Sequence, residues 1–95
     1  MKKIAVLVKD VDQQYEALRT SLGALLEMAE VSMFVLDHEI GTMDEAYAEN
    51  MEFLDEMEGL RYSNNQVNVD TYGFQPVTLA EVGKAIKASD IVIPF

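Results

Sequence analysis

Hydrophobic residues along this chain alternate between short unbroken runs and stripes at helical spacing. IAVLV (residues 4–8) is continuously apolar and rich in β-branched side chains. That is the pattern of a strand buried on both faces of a parallel sheet. Between residues 10 and 30 the period lengthens, and Leu18, Leu22, Leu25 and Ala29 recur at helical spacing, with Leu26 widening the stripe. Asp10 or Asp12 is placed to cap the start of this helix, and Glu16 lies near its positive end. Gly23 weakens it slightly and marks a candidate close packing contact.

VSMFVL (residues 31–36) reads as a second buried strand. In GTMDEAYAENMEFLDEMEG (residues 41–59), Thr42 and Glu45 have the spacing of a capping box, and Gly59 stands where a helix-closing glycine belongs. Tyr47, Met51 and Leu54, joined by Met57, form its inward stripe; Glu45, Glu49, Glu52 and Glu56 form an opposite acidic one. RYSNNQ is turn-rich, and VNV (residues 67–69) reads as a short third strand. TLAEVGKAIKASD (residues 78–90) repeats the helix signature, with Thr78 and Glu81 as a second capping box and Leu79, Val82 and Ile86 on one face. IVIPF (residues 91–95) is a final strand, in which Pro94 fits only near an end or an edge. The order β-α-β-α-β-α-β predicts an α/β fold: a three-layer α/β/α sandwich with a small, mainly parallel sheet of about four strands and right-handed crossovers.

Composition narrows the partners. The 95 residues suffice for one domain, residues 1–95, and 49% of them are hydrophobic, enough for a core. Seven basic against seventeen acidic residues give a net charge of −10. That charge repels phosphate backbones and anionic lipid, so neither nucleic acid nor membrane is an expected partner. The chain contains no cysteine, which removes disulfides, thiolate catalysis and zinc–sulfur sites. The opening apolar run is too short for a signal peptide or a membrane span, and a cytoplasmic location is expected.

In a sheet of this kind ligands bind beyond the carboxyl ends of the strands, where strand order reverses. With the first strand central, Asp10 and Asp12 would share a rim with Asp70, Thr71 and Tyr72 after the third strand, and with Asp37, His38 and Glu39 after the second. The first turn, VKDVDQQYEAL, has no glycine and carries two aspartates, so it cannot cradle a nucleotide phosphate. Asp10, Asp12, Asp37, His38, Glu39 and Asp70 offer hard oxygen ligands and one imidazole but no ligand-spacing motif, and capping or strand termination is the ordinary reading of them. Acidic residues after the first strand and an aspartate ending the third are similar to response-regulator receiver domains. The split acids, the missing fifth strand and the absence of a lysine after IVIPF argue against that likeness. No serine, histidine and aspartate form a visible constellation, so no catalytic residue and no cofactor is expected.

Three stretches together carry a more specific likeness: KIAVLVKD…YEALRTSLGALLE, then YGFQPVTLAEVGKAIKASD, and the terminal DIVIPF. With Gly73-Phe74, Thr78-Leu79 and the segment from Asp90 to Phe95, the chain resembles the DsrE/DsrF-like family of small sulfur-relay proteins over nearly its whole length. The resemblance implies an α/β/α fold and self-association into trimers or hexamers, of one chain or together with a cysteine-bearing relative. Active members carry a persulfide on a cysteine in the loop leaving the third strand. The resemblance places that position at or beside Asp70, where a carboxylate cannot hold sulfane sulfur. It therefore implies a non-catalytic subunit in intracellular sulfur relay, with Asp70 in a vacated position. The alternative is a small binding module or metal-dependent enzyme using the acidic rim of Asp10, Asp12 and Asp70.

Overall fold

The computed structural model describes residues 2–41 and 43–95. Its elements, in chain order, are β1 (Lys3–Val8), α1 (Gln14–Leu26), β2 (Glu30–Val35), α2 (Glu45–Glu56), β3 (Leu60–Ser63), α3 (Gln66–Tyr72), β4 (Gln75–Pro76), α4 (Leu79–Ala88) and β5 (Ile91–Pro94), with a 3-10 turn at Val11–Gln13 before α1. The strands form one parallel sheet in the order β4-β3-β2-β1-β5. Each connection from β1 through β4 steps the same way across the sheet, so right-handed crossovers put α1, α2 and α3 on one face; the step back from β4 to β5 puts α4 on the other. The result is the expected three-layer α/β/α arrangement.

Alternation along the strands divides the core in two. Val6 and Val8 of β1 and Val31, Met33 and Val35 of β2 point to the three-helix side, where they meet Leu18 and Leu25 of α1, Tyr47, Met51 and Leu54 of α2, and Phe74. Ala5, Phe34 and Leu36 point the other way and pack against Val82, with Ala85 and Ile86 partly covered. Phe34 stacks on Tyr62 at 5.1 Å between ring centroids. The acidic stripe of α2 is exposed throughout, and its inward stripe is as expected, with Met57 half-buried.

The third strand differs from the expectation. VNV lies inside α3, and the strand is LRYS, making five strands rather than about four. VNV mimics a strand because Val67 and Val69 alternate with a polar residue. The buried residue is Asn68, however, while Val67 is exposed. Asn65 caps α3 by accepting from the Asn68 N–H at 3.2 Å, and Gly73 ends it at φ 72°. LRYS escapes a hydrophobicity scan because it holds an arginine and only Ser63 of its four residues is buried.

Smaller differences follow from local geometry. The cap of α2 is Asp44, which accepts from the Tyr47 N–H at 2.8 Å; Thr42, expected in a capping box, lies outside the described residues. The left-handed residue closing α2 is Glu58 at φ 66° rather than Gly59. Gly59 is needed instead for space, since a Cβ there would stand 2.8 Å from both Leu25 and Leu54 side-chain atoms. Gly23, expected at a close contact, has nothing within 4 Å of a Cβ position. Leu26 is 67% exposed and widens no stripe. Thr78 and Glu81 do form the capping box expected for α4. Pro94 sits on the outermost strand, as its missing N–H requires. Among the described residues, no helix is long and apolar enough to cross a membrane.

Candidate functional site

The most heavily organised segment at the carboxyl rim of the sheet is the loop leaving β2, residues 37–41. Three side-chain amides hold its backbone. Asn64 accepts from the Asp37 N–H at 2.7 Å and donates to the Asp37 carboxylate at 2.9 Å. Asn68, fully buried, accepts from the Ile40 N–H at 2.8 Å and donates to the His38 carbonyl at 3.0 Å. Gln14, at the start of α1, donates to the Glu39 carbonyl and accepts from the Gly41 N–H, both at 3.1 Å. Ser63 completes the support: its hydroxyl donates to the Val35 carbonyl at 2.8 Å and accepts from Asn65 N–H and Asn68 Nδ2, both at 3.0 Å. Buried polar groups of this kind are stable only when each partner is satisfied, so the network fixes a single loop conformation.

On that frame Asp37 stands at φ 65° and Asp37 and Glu39 are exposed. His38 Nδ1 lies 2.7 Å from the Leu36 carbonyl. A carbonyl only accepts, so Nδ1 carries a hydrogen in this contact. The ring's Nε2 is buried without a hydrogen-bond partner.

The expected rim residues do not converge. Asp10 caps the 3-10 turn by accepting from the Asp12 N–H at 2.9 Å, and both aspartates are exposed. Asp70 does not end a strand; it is exposed on α3, where it accepts from Gln66 Nε2 at 2.9 Å. Thr71 is exposed on the same helix, and Tyr72 is half-buried against the larger core. The neighbours of β1 are β2 and β5, not the third strand. Its exit is closed by β5, with Lys9 N–H donating to the Phe95 carbonyl at 2.8 Å. Among the described residues, no three acidic or histidine side chains come together to hold a metal. The loop leaving the third strand is that of Asn64 and Asn65, and Asp70 lies outside it.

A second organised region lies behind the rim, on the three-helix face. Arg61 donates to both oxygens of Asp55 at 2.9 and 2.8 Å and to the Tyr72 carbonyl at 2.6 Å, and its guanidinium rests 4.9 Å from the centre of the Phe74 ring. It thereby ties α2, β3 and the end of α3 together. Tyr47 is fully buried with its hydroxyl unpartnered. Burial pushes this phenol up to about 12, against the opposing pull of the Arg61 charge.

Sequence reasoning missed Gln14, Asn64, Asn65 and Asn68, and left Ser63 without a partner. The one local signal was the asparagine cap at Asn65 followed by Gly73, which together outline a short helix. No family model, characterised protein or solved structure matches this chain.

Proposed function

We propose that the chain is a non-catalytic DsrE/DsrF-like subunit, an interaction protein of the cytoplasm that takes part in sulfur relay beside a cysteine-bearing relative and carries no persulfide itself. The observation that supports assembly is the uneven cover of the sheet. Three helices pack on one face and α4 alone on the other, leaving Leu60, Leu79 and Val92 on or beside that face well exposed. Leu26, Phe53 and Val67 are also exposed, on the helices of the other face, so the support comes from the thin cover of this sheet face and not from a concentration of exposed apolar side chains. The cysteine-free sequence and the amide-held strand exits fit a subunit whose rim serves structure or docking. Sedimentation equilibrium of the purified chain between roughly 5 and 200 µM, a range that brackets ordinary oligomer affinities, tests the reading. The expected mass is a multiple of 10.7 kDa. A single-chain mass throughout would contradict it.

A further inference from the structure

The bare side of the sheet beside α4 is a groove in two connected parts. One cavity of about 320 Å³ is lined by Glu30, Ser32, Glu58, Leu60, Ala85 and others; a second of about 210 Å³ shares Ser32 and Ala85 with it and continues along Phe34, Tyr62 and Glu81. Its floor is therefore apolar and aromatic. Its lining carries three carboxylates, Glu30, Glu58 and Glu81, against one cation, Lys3.

The helix that forms one wall of this groove has the complementary character on its outer surface. Ala80, Lys84 and Lys87 are all exposed, while Ala88 lines the groove itself. In helical projection the first three share the side opposite buried Val82. With Glu81 against Lys84 and Lys87, α4 is the one described helix whose own side chains are net positive; α2 holds five carboxylates and no cation. In a chain of net charge −10, this is where two copies approach with least repulsion.

We propose that the groove receives the α4 helix of a second copy of this chain across a two-fold axis. This proposal rests on the subunit reading above and names the surface that serves it. Lys84 and Lys87 of one copy meet the groove carboxylates of the other, and the small Ala80 lets the helix approach Leu60 and Tyr62. Each sheet then has a second helix on its bare face, and because the contact is isologous it forms twice per dimer. An assembly with dihedral symmetry uses such a contact together with a cyclic one.

Charge reversal tests this without touching buried residues. Lys84→Glu/Lys87→Glu is compared with Lys9→Glu/Arg19→Glu, which changes net charge equally but away from α4; both are checked for folding by circular dichroism. Leu60→Arg on the groove floor is a third variant that leaves α4 intact. The expected result is a wild-type oligomer whose mass is halved by the α4 pair and by Leu60→Arg, and kept by the control pair. An oligomer that survives the α4 and groove variants, or that is lost equally in the control, overturns the two-fold contact while leaving the subunit reading standing. A wild type that is one chain at every concentration overturns both and gives the groove to a different partner.

Discussion

Replacing Asn68 by alanine tests whether the β2 exit loop is held as described. The substitution removes three hydrogen bonds, at 2.8, 3.0 and 3.0 Å, to Ile40, His38 and Ser63. At about 1 kcal/mol net for each, the direct loss is about 3 kcal/mol. Ile40 is 2% exposed, so its stranded N–H finds no water and the penalty for that group falls at the upper end of about 1–3 kcal/mol. Against a total stability of about 5–15 kcal/mol this is a large fraction. For a domain of this size it lowers the melting temperature by about 12–24 °C. Urea titration is the assay, read as a lower midpoint with an unchanged slope. Hydrogen exchange provides the local readout, with the amides of Asp37, Ile40 and Gly41 losing protection first. Asn64→Ala, at an exposed bond, is expected to cost under about 1 kcal/mol. An Asn68→Ala protein within about 1 kcal/mol of wild type, or one in which the Ile40 amide stays protected, would refute the idea that this side chain organises the loop.

Tyr47→Phe is expected to leave stability at neutral pH unchanged or raised, because it removes a buried hydroxyl with no partner. The phenol's raised value of about 12 means its contribution is complete below about pH 10 and is lost as pH climbs toward 12, so the variant shows a flatter alkaline decline in thermal melts. An equally steep decline in both proteins would count against burial as the cause. Glu81 behaves in the opposite sense. The Thr78 backbone N–H holds its carboxyl below the usual range, so its contribution is present above that range and lost on acidification. Glu81→Gln is therefore expected to lose less on acidification than wild type, and a parallel acid decline in the two proteins would remove the capping box from the explanation. Gly23→Ala, in the interior of α1 with open space around the added methyl, is expected to gain about 0.5–1 kcal/mol, measured by urea midpoint. A loss there would mean that α1 is covered by something in solution.

The strands with unbroken apolar runs, β1 and β2, and the helices with capping boxes or clear stripes were legible in the sequence because one physical signal dominated each. β3 was not. It lies between β2 and β4, yet its side chains face different needs: Arg61 reaches Asp55 and Tyr72 on one side, while Tyr62 stacks on Phe34 on the other. No hydrophobic period survives such a mixture. Once β3 was missed, VNV was the nearest strand-like run, and Asp70 inherited a rim position that belongs to Asn64 and Asn65. The amide network was illegible for a related reason. Gln14 and Asn68 meet across 54 residues of sequence only because strand order brings α1 and α3 to the same loop. Side-chain amides also have no spacing rule of their own, unlike metal ligands or phosphate loops. Asp10 and Thr78 were legible as caps because a cap's partner lies within three residues.

The most direct test of the subunit reading is gentle affinity purification of the tagged chain from its own organism, with the native mass of the product and the identity and ratio of its companions determined together. The expected result is an assembly holding a cysteine-bearing companion in fixed ratio, with cross-links between chains falling on α4 and the groove beside it. Recovery of the chain alone, as a 10.7 kDa species, would contradict it.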